Sequence, residues 1–372
     1  MLRFLTAGES HGPCLTAIIE GLPAGLVVDV DAINHELTRR QGGYGRGGRM
    51  KIERDKVDIL GGVLGGKTTG APVSLRVENR DWANWREHWA AGDLPKLTVP
   101  RPGHADYAGM VKYGLDDARP ILERASARET AARVAVGAVV KLLLAEFDVA
   151  VGSYVAEIGG VVAQISDRQW PELWVLTEAS DVRCPDDAAA IKMRQAIDAA
   201  REAGDSLGGV FVVAAIGLPV GLGSHVQWDR RLDARLAQAV MSIPAIKGVE
   251  IGTAFENAQR PGTQVHDELE ISNLQSQVAR TSNRAGGIEG GMTNGEPVVV
   301  RAAMKPIPTT ITPLRSVDLS TGEEAATQYQ RSDVCAVPAA SVVGEAMVAW
   351  VLADALVEKL GGDSVKEIVS RR

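Results

Sequence analysis

Apolar positions recur with a helical period in five stretches of this chain and with strand-like density in seven others. Residues 31–41 begin at Asp31 and stop at Gly42-Gly43. Residues 123–146 are Ala-rich and, after Val134, apolar on nearly every face, the pattern of a helix buried all round. Residues 186–203 follow Pro185 and end at Gly204, and 229–243 place Leu232, Leu236 and Val240 on one face. Residues 339–360 begin after Pro338 and stop before Gly361. The strand-like runs are 14–20, 26–30, 57–60, 72–77, 150–157, 209–216 and 297–303, several joined by short Gly-rich turns as in antiparallel hairpins. Strand, helix and parallel strand do not alternate. The pattern therefore predicts an α+β fold with antiparallel sheets and buried central helices. No Pro/Gly/Ser linker or internal repeat divides the chain, so residues 1–372 are expected to form one domain. Two polar, glycine-bearing stretches, 39–50 and 315–332, read as mobile loops with a functional role.

Composition narrows the function. The 372 residues include 40 glycines, only 4% aromatics and 45% hydrophobic residues, so the core is built on Ala, Val and Leu with many tight turns. A net charge of -7 argues against a general nucleic-acid binder. Cys14, Cys184 and Cys335 are odd in number and far apart, with no CxxC pair; this fits a reducing cytosol and offers no zinc site. The N-terminus MLRFLTAGESHG lacks signal-peptide character. The longest apolar stretches, near 134–145 and 346–357, contain Lys141 and Asp354 and read as buried helices, not membrane spans.

Against this acidic background, residues 101–138 carry Arg101, Arg119, Arg124, Arg128 and Arg133 together with His104. Guanidinium forks suit carboxylates and phosphates, so the segment reads as a small-polyanion pocket with proton transfer nearby; a solvated helix face laced with Glu123 and Glu129 is the plainer alternative. Three other motifs point elsewhere. GESHG at 8–12 matches a hydrolase nucleophile elbow, but β-like sequence follows where a helix is required. GGVLGGKT at 61–68 matches a phosphate-binding P-loop, yet Pro72 and alternating β-formers follow, which favours a hairpin turn. GGYGRGGRMK at 42–51 resembles an RNA-binding segment but is one short loop, better suited to a small anionic ligand. Trp82, Trp85 and Trp89 recur at helical spacing and suit a core or subunit interface.

Taken in order, GESHG (8–12), RRQGGYGRGGRMKIE (39–53), RPGHADYAGMVKYG (101–114) and LERASARETAARVAVGA (122–138) resemble the chorismate synthase family. AIKGVEIG (245–252), NRAGGIEGGMTNG (283–295), KPIPTT (305–310) and RSDVCAVPAASVVGEAM (331–347) continue the resemblance over nearly the whole chain. It implies a β-α-β sandwich assembled as a homotetramer in the cytoplasm, with neither nucleic acid nor membrane as partner. It implies an anti 1,4-elimination of phosphate from 5-enolpyruvylshikimate 3-phosphate (EPSP), dependent on reduced FMN and without net redox change.

The same resemblance assigns roles. His11 would protonate the reduced flavin, His104 would donate a proton to the departing phosphate, and Asp333 would move a proton at flavin N5. FMN would lie against Arg124, Ala125, Ser126, Ala245, Ile246, Gly290, Lys305, Pro306, Ile307, Pro308, Thr309 and Arg331. EPSP carries about -3.5 to -4 charge at neutral pH, and Arg40, Arg46, Arg49, Arg101 and Arg128 would hold it; NADPH is an alternative ligand for Arg40 and Arg46. NADPH is otherwise expected only as an external electron source. His35, His88, His225 and His266 are read as ordinary surface or core residues.

Overall fold

The computed structural model describes residues 1–48, 52–165, 168–272, 277–330 and 332–372. Two antiparallel sheets enclose a helical layer. The first sheet contains β1 (Arg3–Ala7), β2 (Cys14–Glu20), β3 (Val57–Gly61) and β4 (Val73–Glu78), in the order β1-β2-β4-β3. The second contains β5 (Ala150–Ile158), β6 (Val161–Val162), β7 (Gly209–Ile216), β8 (Ile246–Ile251) and β9 (Val298–Met304), in the order β8-β9-β7-β5-β6. Inward residues alternate along each strand. In β4, Val73, Leu75 and Val77 are buried while Arg76 and Glu78 face outward.

Between the sheets lie α1 (Val30–Gln41), α4 (Thr130–Ala145), α6 (Leu232–Met241) and α7 (Val337–Leu360). Two short helices, α2 (Asp106–Tyr113) and α3 (Arg119–Ala125), precede α4, and α5 (Asp187–Glu202) follows it. Helix α4 packs on β2 and β4 on one side and on α7 on the other; α7 continues onto β5 and β7. One hydrophobic cluster runs from Leu2 to Ile368 through both sheets. Helix α7 is long and apolar enough to cross a membrane by length and composition, but 89% of its most apolar window is buried inside the protein. It is a core helix, as its pattern predicted.

Four of the five predicted helices and six of the seven strands are present with boundaries shifted by a few residues. Residues 26–30 are not a strand. Asp29 there accepts hydrogen bonds from the amides of Asp31 and Ala32, so the run ends as the N-cap of α1. The predicted helix 123–146 is broken. Residues 119–125 form α3, Ser126 turns the chain into a 3₁₀ turn at Ala127–Glu129, and α4 begins at Thr130. The expected loop 315–332 contains a hairpin of Arg315–Asp318 with Glu323–Ala326, and the expected loop at 39 begins inside α1.

Three cations meet Glu345, fully buried on α7. Arg39 (2.8 Å) and Lys141 (2.6 Å) bind its Oε2, while Arg183 (3.1 Å) and the Ser153 hydroxyl (2.6 Å) reach Oε1. Burial alone would raise the Glu345 carboxyl; Lys141 and Arg39 outweigh it and hold the group well below the usual carboxylate range. This network ties α1, α4, α7 and β5 together at the helical layer.

Candidate functional site

The turn between β1 and β2 carries His11. The His11 amide donates to Glu123 Oε2 at 2.7 Å, and its Nδ1 lies 2.9 Å from Glu123 Oε1. Glu123 belongs to α3 and is almost wholly buried. The Trp85 ring lies 4.2 Å from the imidazole, centroid to centroid. Ser10 donates its amide to the Glu123 carbonyl at 3.0 Å, and its hydroxyl meets that of Ser126 at 3.0 Å. Because the turn joins two antiparallel neighbours, GESHG is not a strand–turn–helix elbow.

Asn79 fixes this turn from the far side, donating to the carbonyls of Glu9 (3.0 Å) and Gly12 (2.8 Å). Its own oxygen accepts from Arg128 Nε at 2.7 Å. Arg128 also donates to Asp55 at 2.5 Å and to the Glu78 carbonyl at 3.1 Å, and Arg40 reaches the other Asp55 oxygen at 2.9 Å. Both arginines are buried, 3% exposed for Arg40 and 4% for Arg128. Burial pushes Arg40 down to about 10 against the pull of Asp55, with Arg128 and Arg46 adding positive charge nearby. The same two arginines hold Asp55 below the usual carboxylate range despite its burial. Arg40 and Arg128, singled out as anion ligands, are thus placed on a protein carboxylate.

His104 lies just before α2. Its Nδ1 is 2.5 Å from Asp106 Oδ1, and Asp106 also accepts from the Arg101 amide (3.1 Å), Nε (2.8 Å) and Nη2 (3.0 Å). Burial would raise the Asp106 carboxyl, but the hydrogen bonds from His104 and Arg101 win and hold it well below its ordinary range. Arg101 Nη1 donates onward to Thr309 Oγ1 at 3.1 Å, and the Lys305 ammonium donates to the Gly103 carbonyl. The Thr309 carbonyl accepts from the Ser332 hydroxyl at 3.0 Å. Beside Ser332, Asp333 accepts from Arg46 Nη1 at 2.6 Å and from the Gly47 amide at 2.7 Å. His104, Arg101, Lys305, Thr309, Asp333 and Arg46 therefore form one connected band. It adjoins the Arg40 side through the chain itself, since Arg46 follows Arg40 by six residues just past the end of α1, and Arg46 adds to the positive charge that lowers Arg40.

Pro306, Ile307 and Pro308 line a cavity of about 380 Å³ together with Lys305, Gly103 and Ser206. Ala245 holds a left-handed φ of 68°, uncommon for a residue with a Cβ, and its carbonyl accepts from the Lys305 amide at 3.0 Å; Ile246 follows in β8. Arg124 is exposed on α3 and donates to the Thr6 carbonyl (2.9 Å) and hydroxyl (2.7 Å), with Ala125 and Ser126 next to it. Gly290 stands on the hairpin Ile288–Glu289/Met292–Thr293, whose neighbours are the 221–224 segment, so it is not joined to either band by these contacts. Arg49 and Arg331 lie outside the described residues.

Sequence reasoning missed the carboxylates. Glu123 and Asp106 each hold a candidate histidine, and Asp55 holds two candidate arginines. A signal was present for Asp106, two residues after His104; none was available for Asp55, fifteen residues from Arg40. The P-loop match is a tight hairpin, Val63–Leu64 with Lys67–Thr68, and its turn glycines Gly65 and Gly66 have φ of 58° and 75°. No helix N-terminus follows it.

The antiparallel α+β sandwich thus carries two histidines held by buried carboxylates, together with several cationic side chains. The family model described as chorismate synthase matches residues 2–357, and the chain belongs to the chorismate synthase family. It is 58% identical to the chorismate synthase of Trichlorobacter lovleyi, over 100% of this chain and 97% of that protein. It is 57% identical to that of Aquifex aeolicus, over 100% of this chain and 96% of that one. A crystal structure of chorismate synthase superposes with a TM-score of 0.80 at 48% identity, covering 100% of this chain and 96% of the other. The activity is therefore that of a carbon–oxygen lyase forming chorismate from EPSP, the last step of the shikimate pathway toward aromatic amino acids.

Proposed function

We propose that the elimination takes place where the His11 and His104 bands approach each other, with residues 1–372 acting as one catalytic unit. The observation that carries this reading is that both histidines are held by buried carboxylates while Arg46, Arg101 and Lys305 stand in the adjoining band. His104 donates a proton to the leaving phosphate oxygen, and Arg101 and Arg46, with Arg49, bind the substrate's anionic groups. Asp333 would move a proton at flavin N5, and Arg46 keeps its carboxylate oriented.

The residues present fit reduced FMN. Arg124 offers an exposed guanidinium, Lys305 an ammonium beside a proline-walled cavity, and the strained Ala245 peptide a fixed backbone edge. When bound, reduced FMN supplies the electron-rich ring that this elimination requires without net redox change. Arg124–Ser126, Ala245–Ile246, Lys305–Thr309, Gly290 and Arg331 hold it in this reading, and His11 holds a proton at the flavin edge. Reduction comes from outside the chain, with NADPH as an external electron source. We further infer a cytoplasmic homotetramer whose partners are small molecules, not nucleic acid or membrane. An anaerobic assay with EPSP and dithionite-reduced FMN tests the reading: chorismate forms only with the reduced flavin, and full turnover without flavin would overturn it.

A further inference from the structure

Both histidines are approached through the same ring nitrogen, by carboxylates on two helices that pack against each other. Helix α2 supplies Asp106 and helix α3 supplies Glu123. The helices meet at Gly109, where a Cβ would lie 2.6 Å from the Ile121 side chain, so their separation is set by the absence of a side chain.

The hydrogen bonds decide the tautomers. Around His104 Nδ1 sit Asp106 Oδ1 at 2.5 Å and Arg101 Nη2 at 3.0 Å. Were Nδ1 bare, its lone pair would face a carboxylate oxygen at 2.5 Å, and Asp106 is held ionised. With Nδ1 protonated, the ring donates to Asp106, and Arg101 Nη2 donates to the same oxygen at 3.0 Å. At His11, Nδ1 has Glu123 Oε1 at 2.9 Å and Oε2 at 3.1 Å; a carboxylate only accepts, so this ring also donates from Nδ1. In both residues Nε2 is the nitrogen not bound to a carboxylate, with Arg101 Nη2 3.4 Å from that of His104; it accepts a proton in the neutral ring and gives one up from the cationic ring, which the carboxylate on Nδ1 stabilises.

We propose that Asp106 and Glu123 are a matched pair of positioning residues that lock His104 and His11 in the Nδ1–H form, aiming both Nε2 atoms at the reacting groups. This rests on the proton-transfer roles given above. Each carboxylate does two jobs at once. Glu123 also binds the His11 backbone amide at 2.7 Å, and Asp106 also binds the Arg101 amide and guanidinium, so ring orientation and the backbone carrying it are fixed together.

The test is nitrogen-15 NMR of histidine-labelled full-length protein without flavin, from about pH 6 to 9, with His11→Ala and His104→Ala used for assignment. The expected result is an Nδ1–H tautomer for both neutral rings in the parent protein. An Nε2–H tautomer at either ring overturns the pairing, whatever any variant does. In Glu123→Gln and Asp106→Asn, the partnered ring should move toward the Nε2–H tautomer, since each amide can offer its NH₂ to Nδ1. The chorismate kcat should fall about 10- to 100-fold, while KM for EPSP changes less than about threefold in Glu123→Gln, whose carboxylate holds no anion ligand, and Glu123→Asp recovers part of the loss. Unchanged tautomers and unchanged kcat in the two amide variants overturn the proposal even if His11→Ala and His104→Ala are inactive. Conversely, full turnover by the two alanine variants would overturn the histidine roles while leaving the tautomer result standing.

Discussion

Arg128 Nη1 donates to Asp55 Oδ1 at 2.5 Å inside the first sheet's helical border, and no nitrogen of that guanidinium lacks a protein acceptor. A side chain that reads in the sequence as an anion ligand is, in the folded chain, the brace of the turn that carries His11. Among the described residues, removing it would leave the Asp55 carboxylate with Arg40 as its one cationic partner and take this donor from the Asn79 oxygen.

Arg128→Ala should therefore lower folding stability by about 3–5 kcal/mol, the usual cost of breaking a buried ion pair from one side. Urea denaturation followed by circular dichroism measures it. A loss below about 1 kcal/mol with strongly weakened EPSP binding would return Arg128 to the substrate.

His11→Ala and His104→Ala should each reduce chorismate turnover about 10²–10⁴-fold, the range of a lost general acid or base. Binding of EPSP and FMN should survive, because cationic side chains carry the anion affinity. Stopped-flow absorbance of reduced FMN with EPSP, alongside equilibrium titrations, separates the two. Normal turnover at saturating substrate with weakened binding would make the histidines simple anion ligands.

Lys67→Ala should leave activity nearly intact. Lys67 is exposed on a two-stranded hairpin with no phosphate-binding helix behind it. A loss above about a hundredfold, roughly 2.7 kcal/mol of barrier, in a normally folded variant would contradict this.

Acid should destabilise the protein through a defined set of carboxyls. Asp55, Asp106 and Glu345 are all held below their ordinary values in the fold. Their stabilisation is complete above the unfolded values, about 3.9 for Asp and 4.3 for Glu. It is lost as pH falls through the lower folded values, when protonation breaks the cation contacts. The urea midpoint should thus fall steeply below about pH 4, and Asp106→Asn should flatten that fall. An equally steep fall in the variant would remove Asp106 from the set.

Iodoacetamide should modify native Cys14 well before the other thiols. Cys184 and Cys335 are fully buried, and burial pushes each up to about 11, so little thiolate is present and none is accessible. Cys14 is partly exposed on β2. Peptide mass spectrometry before and after denaturation reads the order, and early labelling of Cys335 would show that the 332–335 segment opens in solution.

The one-dimensional pattern determined the helices that fill the middle of this protein, because a run such as 339–360 that is apolar on every face can only be stable when covered on every face. It likewise determined β2 and β7, whose limits at 14–20 and 209–216 follow from β-branched and apolar runs bounded by turn residues. Ordered motifs such as GESHG and RPGHAD marked the histidines, since chemistry-bearing residues are legible as types. What those residues face was decided only by tertiary structure. Asp55 reaches Arg128 from 73 positions away and Glu123 reaches His11 from 112, and no local rule records such pairings. Burial gives such pairings their strength, because a carboxylate out of water interacts strongly with the group it touches, whereas the same carboxylate on the surface would be screened.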